Sequence, residues 1–425
     1  MTLNEIIKII NGKTNINSDI IINNIKTDSR KIEKGDIFIA LKGPKYDGHN
    51  YVDEAIKKGA IASITEYDIN NSIVVKDTYE VLYILGNYIR KKYNIPLIAI
   101  TGSNGKTTTK ELLAHILTTK YNVLKNESSK NNLIGVSDTL FRLNSEHDLI
   151  VMELGTNHLG EINYLSKLCK PTTALITNIG SSHLEYFKTK KNIFEEKYSI
   201  KNGMDNVNLI VNGDDKYLKK INCFKCGINN NNNLKAYNII ENIDYIEFNI
   251  FIDKEYKIRF NTPGIHFIND ILLVIKICLD YKIDIETIIE KIKSFKMVEK
   301  RMNIKKVNTN IIINDCYNAS YESIKAGINY LKNIKEYKIL IIGDILELGK
   351  YSKRIHKKIN KLVKQIDNKK IFTIGKYSKS IKGIHFNDVK EFINYLNNNP
   401  INNSYIYLKG SRKMNLDLIY EYLII

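Results

Sequence analysis

Cysteine is scarce in this 425-residue chain, and tryptophan is absent. The cysteines, so few and odd in number, indicate reduced thiols and exclude a disulfide-framework protein; they are Cys169, Cys223, Cys226, Cys278 and Cys316. Cys223 and Cys226 form one CxxC pair, but no second pair and no histidine cluster follows at zinc-ligand spacing. We therefore expect neither a metal site nor redox chemistry at this pair.

Long apolar runs are missing as well. No stretch approaches the ~18–20 residues that cross a bilayer, which excludes an integral membrane protein. The first residues, MTLNEIIKIINGK, lack the basic region, apolar core and small-residue cleavage site of a secretion signal. The sequence therefore predicts a cytoplasmic protein that does not insert into a membrane.

Acidic residues are outnumbered, with 46 against 64 basic ones, so the formal net charge is +18. Such a balance is the first sign of a nucleic-acid-binding protein. Only seven of the basic residues are arginine, however, and the surplus of lysine, asparagine and isoleucine is what A+T-rich codons produce. No nucleic-acid-binding module and no interleaving of aromatic and basic residues is recognisable. We expect a solvated lysine-rich surface and no nucleic-acid partner; a nucleic-acid-binding ATPase is kept as an alternative.

Apolar strands that alternate with amphipathic helices predict an α/β fold in three blocks, 1–94, 95–298 and 299–425. The middle block has buried strands of the parallel-sheet kind and is predicted to be doubly wound. Its last helix is predicted over 270–279, followed by a polar passage to Arg301. The predicted strands are 36–41, 72–76, 97–101, 149–153, 174–178, 311–315, 338–342, 370–374 and 404–409. The other predicted helices are 51–58, 79–92, 106–120, 320–331 and 353–365.

The most informative local pattern is TGSNGKTTT, residues 101–109, which follows a predicted strand and opens a predicted helix. This is the setting of a phosphate-binding loop, in which glycines let backbone N–H groups approach phosphate oxygens at a helix N-terminus. Lys106 can reach the β- and γ-phosphates, and the Thr107 hydroxyl can bind Mg²⁺. The spacing GxxGKT is shorter than the usual GxxxxGK[ST], so the loop is not a standard one.

Two further side chains follow predicted strands of the same block. Glu153 ends the strand 149–153, and His183 comes shortly after the strand 174–178. Ligands of parallel α/β sheets collect at the carboxyl ends of the strands. A carboxylate and an imidazole at this edge can hold a second Mg²⁺ against a transferring phosphate.

Motifs along nearly the whole chain resemble those of the Mur ligases of peptidoglycan synthesis, in the same order. They are TGSNGKTTTKELL, KNNLIGVSDTL, VMELGTNHLGEI, TNIGSSHLEYF, PGIHFIND, NDCYNAS, GDILELG and LKGSR, preceded in the first block by Thr27–Arg30, Leu41–Gly43 and Asp47–His49. The resemblance implies three domains. These are a small N-terminal α/β domain that binds a UDP-sugar, a central domain that binds ATP, and a C-terminal Rossmann-like domain.

The resemblance also implies an ATP-dependent amide-bond-forming ligase that works through an acyl phosphate. Asp315-Cys316-Tyr317-Asn318-Ala319 resembles the members that add D-alanyl-D-alanine to UDP-muramoyl tripeptide, whereas members that add a diamino acid typically carry D-Y-A-H-T-P here. A sibling ligase that adds a diamino acid, or one of the folylpolyglutamate type, is the alternative. The expected partners are small-molecule substrates, and the chain is expected to act as a monomer.

The family's nucleotide and metal residues carry over onto matching positions. The nucleotide contacts implied are Gly102, Ser103, Asn104, Gly105, Lys106, Thr107, Thr108, Asn269 at the adenine, Arg301 and Asp315. The Mg²⁺ ligands implied are Thr107, Glu153, His183 and Lys197, and the catalytic residues implied are Lys106, Glu153, His183 and Lys197. Lys197 matches the lysine that Mur ligases carbamylate with CO₂, which turns a cation into an anionic metal ligand.

Substrate-binding residues are implied in all three blocks. They are Ser29, Arg30, Lys42 and His49 for the UDP-sugar, Asn131 and Asn132 for the tripeptide, and Asn318 and Ala319 for the dipeptide. The signature Lys409–Arg412 belongs to the same family, but the role of each of its residues is open. The chain departs from the family at Lys197-Tyr198-Ser199, where K-G-E is common, and at Lys300, where glycine is common before the arginine.

Overall fold

The computed structural model describes residues 1–128 and 130–425, and the strands of these residues form three sheets of four, nine and six strands. One sheet lies in each of the ranges 1–94, 95–298 and 299–425, although the boundaries themselves stay a prediction. The α/β class predicted from the sequence is confirmed. In the described part of the chain, no helix is both long and apolar enough to cross a membrane.

The N-terminal sheet is parallel, in the order β1-β2-β3-β4. Its elements are α1 (Leu3–Ile10), β1 (Ile25–Lys26), β2 (Ile37–Ile39), α2 (Val52–Lys57), β3 (Ala62–Thr65), β4 (Ser72–Val74) and α3 (Thr78–Lys92). Asp77 caps α3, because its carboxylate accepts from the backbone N–H groups of Tyr79 and Glu80. Helix α3 then packs against helices of the central domain, where Gly86 lies next to Leu140 and Leu168.

The central sheet has the strand order β13-β12-β11-β10-β9-β8-β5-β7-β6. Its strands are β5 (Leu97–Thr101), β6 (Val123–Lys125), β7 (Leu149–Glu153), β8 (Thr173–Ile176), β9 (Leu209–Asn212), β10 (Phe224–Gly227), β11 (Leu234–Glu241), β12 (Ile246–Phe251) and β13 (Glu255–Phe260). Its helices are α4 (Lys106–Leu117), α5 (Leu133–Phe141), α6 (Glu161–Cys169), α7 (Leu184–Phe187), α8 (Lys190–Tyr198), α9 (Phe267–Asp280) and α10 (Ile285–Ser294).

The position of β5 decides where a ligand can bind. The chain leaves β5 for β6 and β7 on one side and continues to β8 on the other, and all these neighbours are parallel. In such a sheet the crevice for a ligand opens at the carboxyl ends of the strands, where the order reverses. The phosphate loop, which follows β5, therefore lies at this crevice.

The C-terminal sheet has the order β14-β15-β19-β16-β17-β18 and is parallel except for the β14–β15 hairpin. Its elements are β14 (Asn303–Val307), β15 (Asn310–Asn314), α11 (Tyr321–Leu331), β16 (Lys338–Gly343), α12 (Ser352–Val363), β17 (Lys369–Ile374), β18 (Ile384–Phe386), α13 (Val389–Asn398), β19 (Tyr405–Lys409) and α14 (Asp417–Leu423).

One predicted segment is wrong. The passage between the helix at 270–279 and Arg301 is not merely polar, because it contains α10, which Asp284 caps by accepting from the N–H of Thr287. Ile285, Ile288 and Ile292 form its buried face at helical spacing. The lysines and glutamates between them hid this period in the sequence.

Hydrogen bonds dock the outer domains on the central one. The Thr27 hydroxyl donates to Asp138 of α5 at 3.1 Å, and Arg90 donates to the carbonyl of Cys169 at 2.7 Å. On the other side, the buried Tyr330 of α11 donates its hydroxyl to the carbonyl of Ile243 at 2.9 Å. The carboxyl ends of the central strands therefore face the C-terminal domain across a cleft.

Candidate active site

Two glycines shape the phosphate loop after β5. Gly102 and Gly105 have φ angles of 152° and 85°. A Cβ on Gly102 would overlap the hydroxyl of Thr177, and one on Gly105 would overlap the carboxylate of Asp270. Only glycine fits both the conformation and the close approach, so the loop is held tightly at the start of α4.

Asn178 braces the loop from the segment after β8. Its carbonyl accepts from the N–H of Ser103 at 3.0 Å, and its side-chain oxygen accepts from the N–H of Asn104 at 3.0 Å. Its amide also donates to the carbonyl of Asn104 at 3.0 Å. Asn178 therefore fixes the backbone of the loop at Ser103 and Asn104.

A buried carboxylate lies beside the loop. Glu153, at the end of β7, is only 1% exposed and accepts from the Thr107 hydroxyl at 2.8 Å and from the Asn131 amide at 2.7 Å. Lys106 donates to the carbonyl of Gly102 at 2.9 Å. Burial lowers the pKa of Lys106, Glu153 opposes that shift, and Arg301 adds to it. The lysine and the carboxylate thus share one small, poorly solvated space.

Lys197 points into the same space from α8. It is buried, and its pKa lies well below the usual value, first because of burial and then because Lys106 is near. Its neighbour Glu196 fixes the helix, because that carboxylate accepts from the N–H groups of Gly160 at 2.6 Å and Ile162 at 2.8 Å. Glu196 therefore holds α8 in place, and the surroundings of Lys197 disfavour its charged form.

The C-terminal domain contributes a guanidinium to the loop. Arg301 donates to the Thr107 hydroxyl at 3.1 Å, and its guanidinium lies 4.2 Å from the centre of the Tyr317 ring. Arg412 approaches the same ring at 5.3 Å. The aromatic ring thus orients Arg301 toward the phosphate loop.

The structure indicates a role for one residue of the signature Lys409–Arg412. Lys409 is buried and lies 2.6 Å from a carboxylate oxygen of Asp315, which also accepts from the Tyr407 hydroxyl at 3.1 Å. Lys409 thereby orients Asp315 and compensates its charge.

His183 faces the C-terminal domain. Its backbone is left-handed, with φ 56°, and its Nδ1 lies 2.5 Å from a carboxylate oxygen of Glu347. That contact lowers the pKa of Glu347. His183 thus joins the two walls of the cleft.

These side chains line a cleft of about 970 Å³ between the central and C-terminal domains. Most of the residues predicted from the sequence lie in it: Ser103, Asn104, Gly105, Lys106, Thr107, Thr108, Asn131, Asn132, Glu153, His183, Lys197, Arg301, Asp315, Asn318 and Ala319. Motifs far apart in the sequence therefore meet at one site. Their individual roles stay predictions.

Asn269, predicted at the adenine, is not among the described residues that line the cleft, whereas the next residue, Asp270, is. Burial raises the pKa of Asp270 to about 7, although Arg301 opposes the shift. The side-chain oxygen of Asn269 is buried without a hydrogen-bond partner in the described structure. Gly102 also lies behind the lining, where it accepts from Lys106.

The four residues predicted for the UDP-sugar lie in the N-terminal domain, away from this cleft. Ser29 is buried, whereas Arg30 is exposed and donates to Asp28 at 2.8 Å. Lys42 is also exposed and lies 3.7 Å from Asp47.

His49 is buried and engages both ring nitrogens. Nδ1 lies 2.6 Å from Asp47, Nε2 accepts from the N–H of Glu66 at 3.0 Å, and the ring stacks on Tyr67. These contacts favour a structural role for His49.

Several site residues were missed in the sequence although they lie in the quoted motifs. Asn178, Asp270, Lys409 and Glu347 belong to TNIGSSH, PGIHFIND, LKGSR and GDILELG. The motifs were the available signal. Which member of each motif faces the cleft depends on contacts with other elements.

The donor set suits Mg²⁺ in part. Within residues 1–128 and 130–425, no cluster of three His, Cys, Asp or Glu side chains forms a ready-made metal site. Mg²⁺ is usually held by one or two carboxylates together with substrate phosphates and water. The Thr107 hydroxyl against the buried Glu153 carboxylate, beside a phosphate loop, is such an incomplete oxygen set.

Family models match most of the chain. They are described as Mur ligase family, catalytic domain (residues 21–121), Mur ligase middle domain (100–278) and Mur ligase, glutamate ligase domain (300–412).

Individual relatives match over almost the full length. The chain is 36% identical to the UDP-N-acetylmuramoyl-tripeptide–D-alanyl-D-alanine ligase of Buchnera aphidicola, over 95% of this chain and 93% of that protein. It is 32% identical to the protein of the same name in Haemophilus influenzae, over 98% and 97%. The crystal structure of MurF from Acinetobacter baumannii superposes with a TM-score of 0.91 at 28% identity, over 100% and 98%.

Proposed function

The chain belongs to the Mur ligase family, and we propose that it joins D-alanyl-D-alanine to UDP-N-acetylmuramoyl-tripeptide at the expense of ATP. The enzyme is an ATP-dependent amide ligase of peptidoglycan precursor synthesis. The observation that carries this function is the Thr107 hydroxyl, which contacts Glu153 of the central domain and Arg301 of the C-terminal domain at once. The nucleotide site is thus assembled from both domains.

The reaction needs an activated carboxylate, because a carboxylate oxygen is a poor leaving group in water. The terminal carboxylate of the tripeptide attacks the γ-phosphorus of ATP, and the bond to the β,γ-bridging oxygen breaks, which gives an acyl phosphate and ADP. The amine of D-alanyl-D-alanine then attacks the acyl carbon, loses a proton, and phosphate leaves. No covalent link to the protein is needed.

The phosphate loop performs the first task. Its N–H groups and the start of α4 receive the phosphates, while Lys106 leaves the carbonyl of Gly102 and reaches the transferring group. Arg301, oriented by the Tyr317 ring, offsets the charge from the opposite wall. Because the cleft lies between two domains, its closure keeps water from the acyl phosphate.

Mg²⁺ would be held by Thr107 and Glu153, with His183 and Lys197 as further proposed ligands, and when bound it neutralises charge on the phosphates. Lys197 suits this role after carbamylation. Burial disfavours the ammonium form of Lys197, and its free amine would attack CO₂, lose a proton and become an anionic carbamate.

The remaining assignments follow the family. Asn131 and Asn132 are proposed at the tripeptide, Asn318 and Ala319 at the dipeptide, and Ser29, Arg30 and Lys42 at the UDP-sugar. The domains are proposed as 1–94, 95–298 and 299–425. We also propose that the protein acts in the cytoplasm as a monomer and supports cell shape and division through the cell wall.

A substrate assay tests the function. Phosphate release is measured with ATP, Mg²⁺ and UDP-muramoyl tripeptide, with D-alanyl-D-alanine in one series and single amino acids in another. Turnover is expected with the dipeptide only. UDP-muramoyl dipeptide with a free diamino acid is measured as a further series. Turnover in that series and in no other would identify a sibling ligase instead.

Binding to nucleic acid is measured on the same protein. Tight binding that weakens steeply with salt, without ligase turnover, would favour the nucleic-acid-binding ATPase.

A further inference from the structure

Glu322 has an unusual position for a residue in the first turn of a helix. It is the second residue of α11 in the C-terminal domain, yet its carboxylate is bonded to the central domain. One oxygen accepts from the Ser181 N–H at 3.1 Å and from the Ser181 hydroxyl at 2.6 Å. The other accepts from the ammonium of Lys190 at 2.9 Å. One side chain therefore collects three donors from two separate segments.

Both segments lead to proposed catalytic residues. Ser181 lies two residues before His183, in the turn between β8 and α7. Lys190 is the first residue of α8, and Lys197 lies two turns further along the same helix. A helix of this length moves as a rigid rod, so a shift of its first turn also shifts Lys197.

The segment before Glu322 reaches the phosphate loop. Ser320 caps α11 and donates its hydroxyl to the side-chain oxygen of Asn104 at 2.9 Å. The first turn of α11 therefore touches the loop through Ser320 and the opposite strand ends through Glu322.

Contacts elsewhere hold the two domains together without Glu322. Tyr330 donates to Ile243, Asn333 donates to Glu241 at 2.7 Å, and Tyr351 donates to the carbonyl of Lys188 at 3.1 Å. Loss of the Glu322 carboxylate therefore leaves the domains docked. What changes is the local arrangement of the turn at 180–183 and of α8.

We infer that Glu322 is a positioning residue, which holds the turn at 180–183 and helix α8, and with them His183 and Lys197, in place at the cleft. The inference rests on the proposed ligase function, since its effect is on phosphoryl transfer. It involves no contact of Glu322 with the reacting atoms. It therefore predicts a loss in kcat with little change in the KM of the dipeptide.

Graded variants test the inference by steady-state kinetics. Glu322→Ala loses all three bonds and should lower kcat roughly ten- to a hundredfold, with the dipeptide KM within about twofold. Glu322→Gln keeps an acceptor for Ser181, and Lys190→Ala removes only the ammonium, so each should lose less. Lys191→Ala is the matched control, because Lys191 is exposed and lies near Glu195 of its own helix.

A double variant separates positioning from general loss of stability. If Lys190 acts through Glu322, Glu322→Ala with Lys190→Ala should be no slower than Glu322→Ala alone. Multiplied effects, or an unchanged kcat in Glu322→Ala, would overturn the inference.

Hydrogen exchange of the nucleotide-free chain gives a readout that does not depend on turnover. In Glu322→Ala, which loses all three bonds, amides of 181–183 and of the first turn of α8 should exchange faster, while amides of α4 stay as in the wild type. Unchanged exchange at 181–183 would contradict the inference even if the ligase function holds. Absence of ligation by the wild type with the expected exchange pattern would instead refute the function alone.

Discussion

The proposed ATP-binding cleft and the proposed UDP-sugar site place their basic residues in opposite surroundings. In the cleft, Lys197 and Arg301 lie within one site with partners from distant parts of the chain. In the N-terminal domain, Arg30 and Lys42 are exposed and lie beside acids two and five residues away. The comparison teaches that the residues of the proposed nucleotide site hold one another in place through contacts between distant segments. The proposed sugar site has no such network among the described contacts of these two residues.

The largest expected effect is on the cleft side of this comparison, at Lys197. Lys197→Ala should lower kcat by about 10³-fold, because an anionic group facing the transferring phosphate's metal is lost. Acetate added to the assay should restore part of the rate by filling the space. The rate of phosphate release measures both the loss in kcat and its partial restoration by acetate. Lys191→Ala serves as the control, and full activity of Lys197→Ala would refute the carbamate.

Arg301 comes next. Arg301→Lys should reduce kcat/KM for ATP by roughly 10–100-fold, because a lysine ammonium cannot both stack on Tyr317 and donate to Thr107 as the planar guanidinium does. The control is Arg259→Lys, at a half-exposed arginine near Glu247 outside the cleft. Equal losses in both variants would mean that Arg301 has no special part in the nucleotide site.

The pKa of Asp270 offers a test by stability. Its folded-state pKa of about 7 lies above the ordinary 3.8, so between these pH values the unfolded chain has lost a proton that the folded chain keeps. Stability from this group is therefore lost as the pH rises through this window.

Asp270→Asn should accordingly raise the free energy of unfolding at pH 8 by up to about 4 kcal/mol, with little change at pH 4. Urea unfolding of nucleotide-free protein at both pH values measures the difference. The same change at both would contradict the assignment.

The smallest effects are expected in the N-terminal domain, where one residue should affect stability and another should affect substrate binding. His49→Ala should lower the free energy of unfolding by roughly 1–3 kcal/mol, since two buried hydrogen bonds are lost. Lys42→Ala should leave stability within about 0.5 kcal/mol and raise the KM of the UDP-substrate up to about tenfold. Urea unfolding and substrate titration check them. A loss of stability in Lys42→Ala, or unchanged stability in His49→Ala, would contradict these two assignments.

Where an apolar run was unbroken, the first and last residues of the buried strand could be predicted. Leu97–Thr101 and Leu149–Glu153 are both fully buried and begin and end as predicted. Helix α10 was missed because its buried isoleucines alternate with lysines and glutamates in a chain that has such residues everywhere. The helical spacing of the isoleucines, and not the composition of the segment, was the usable signal for α10.

The site shows the same limit at finer scale. The phosphate loop was predictable because its chemistry depends on residues adjacent in the sequence. Asn269 and Asp270 are also adjacent, but successive residues on a helix point about 100° apart, so the rotation of α9 decides which one faces the loop. That rotation is set by packing, which the motif does not contain.

The left-handed backbone of His183 means that this position is not occupied by the residue that would be best for stability. At φ 56° glycine or asparagine would lie more comfortably than a histidine. A chain optimised for stability alone would therefore not keep this residue. With the metal-binding role proposed for His183, this is a position where stability and activity are in conflict, and where a stabilised variant obtained by redesign would be expected to lose catalysis first.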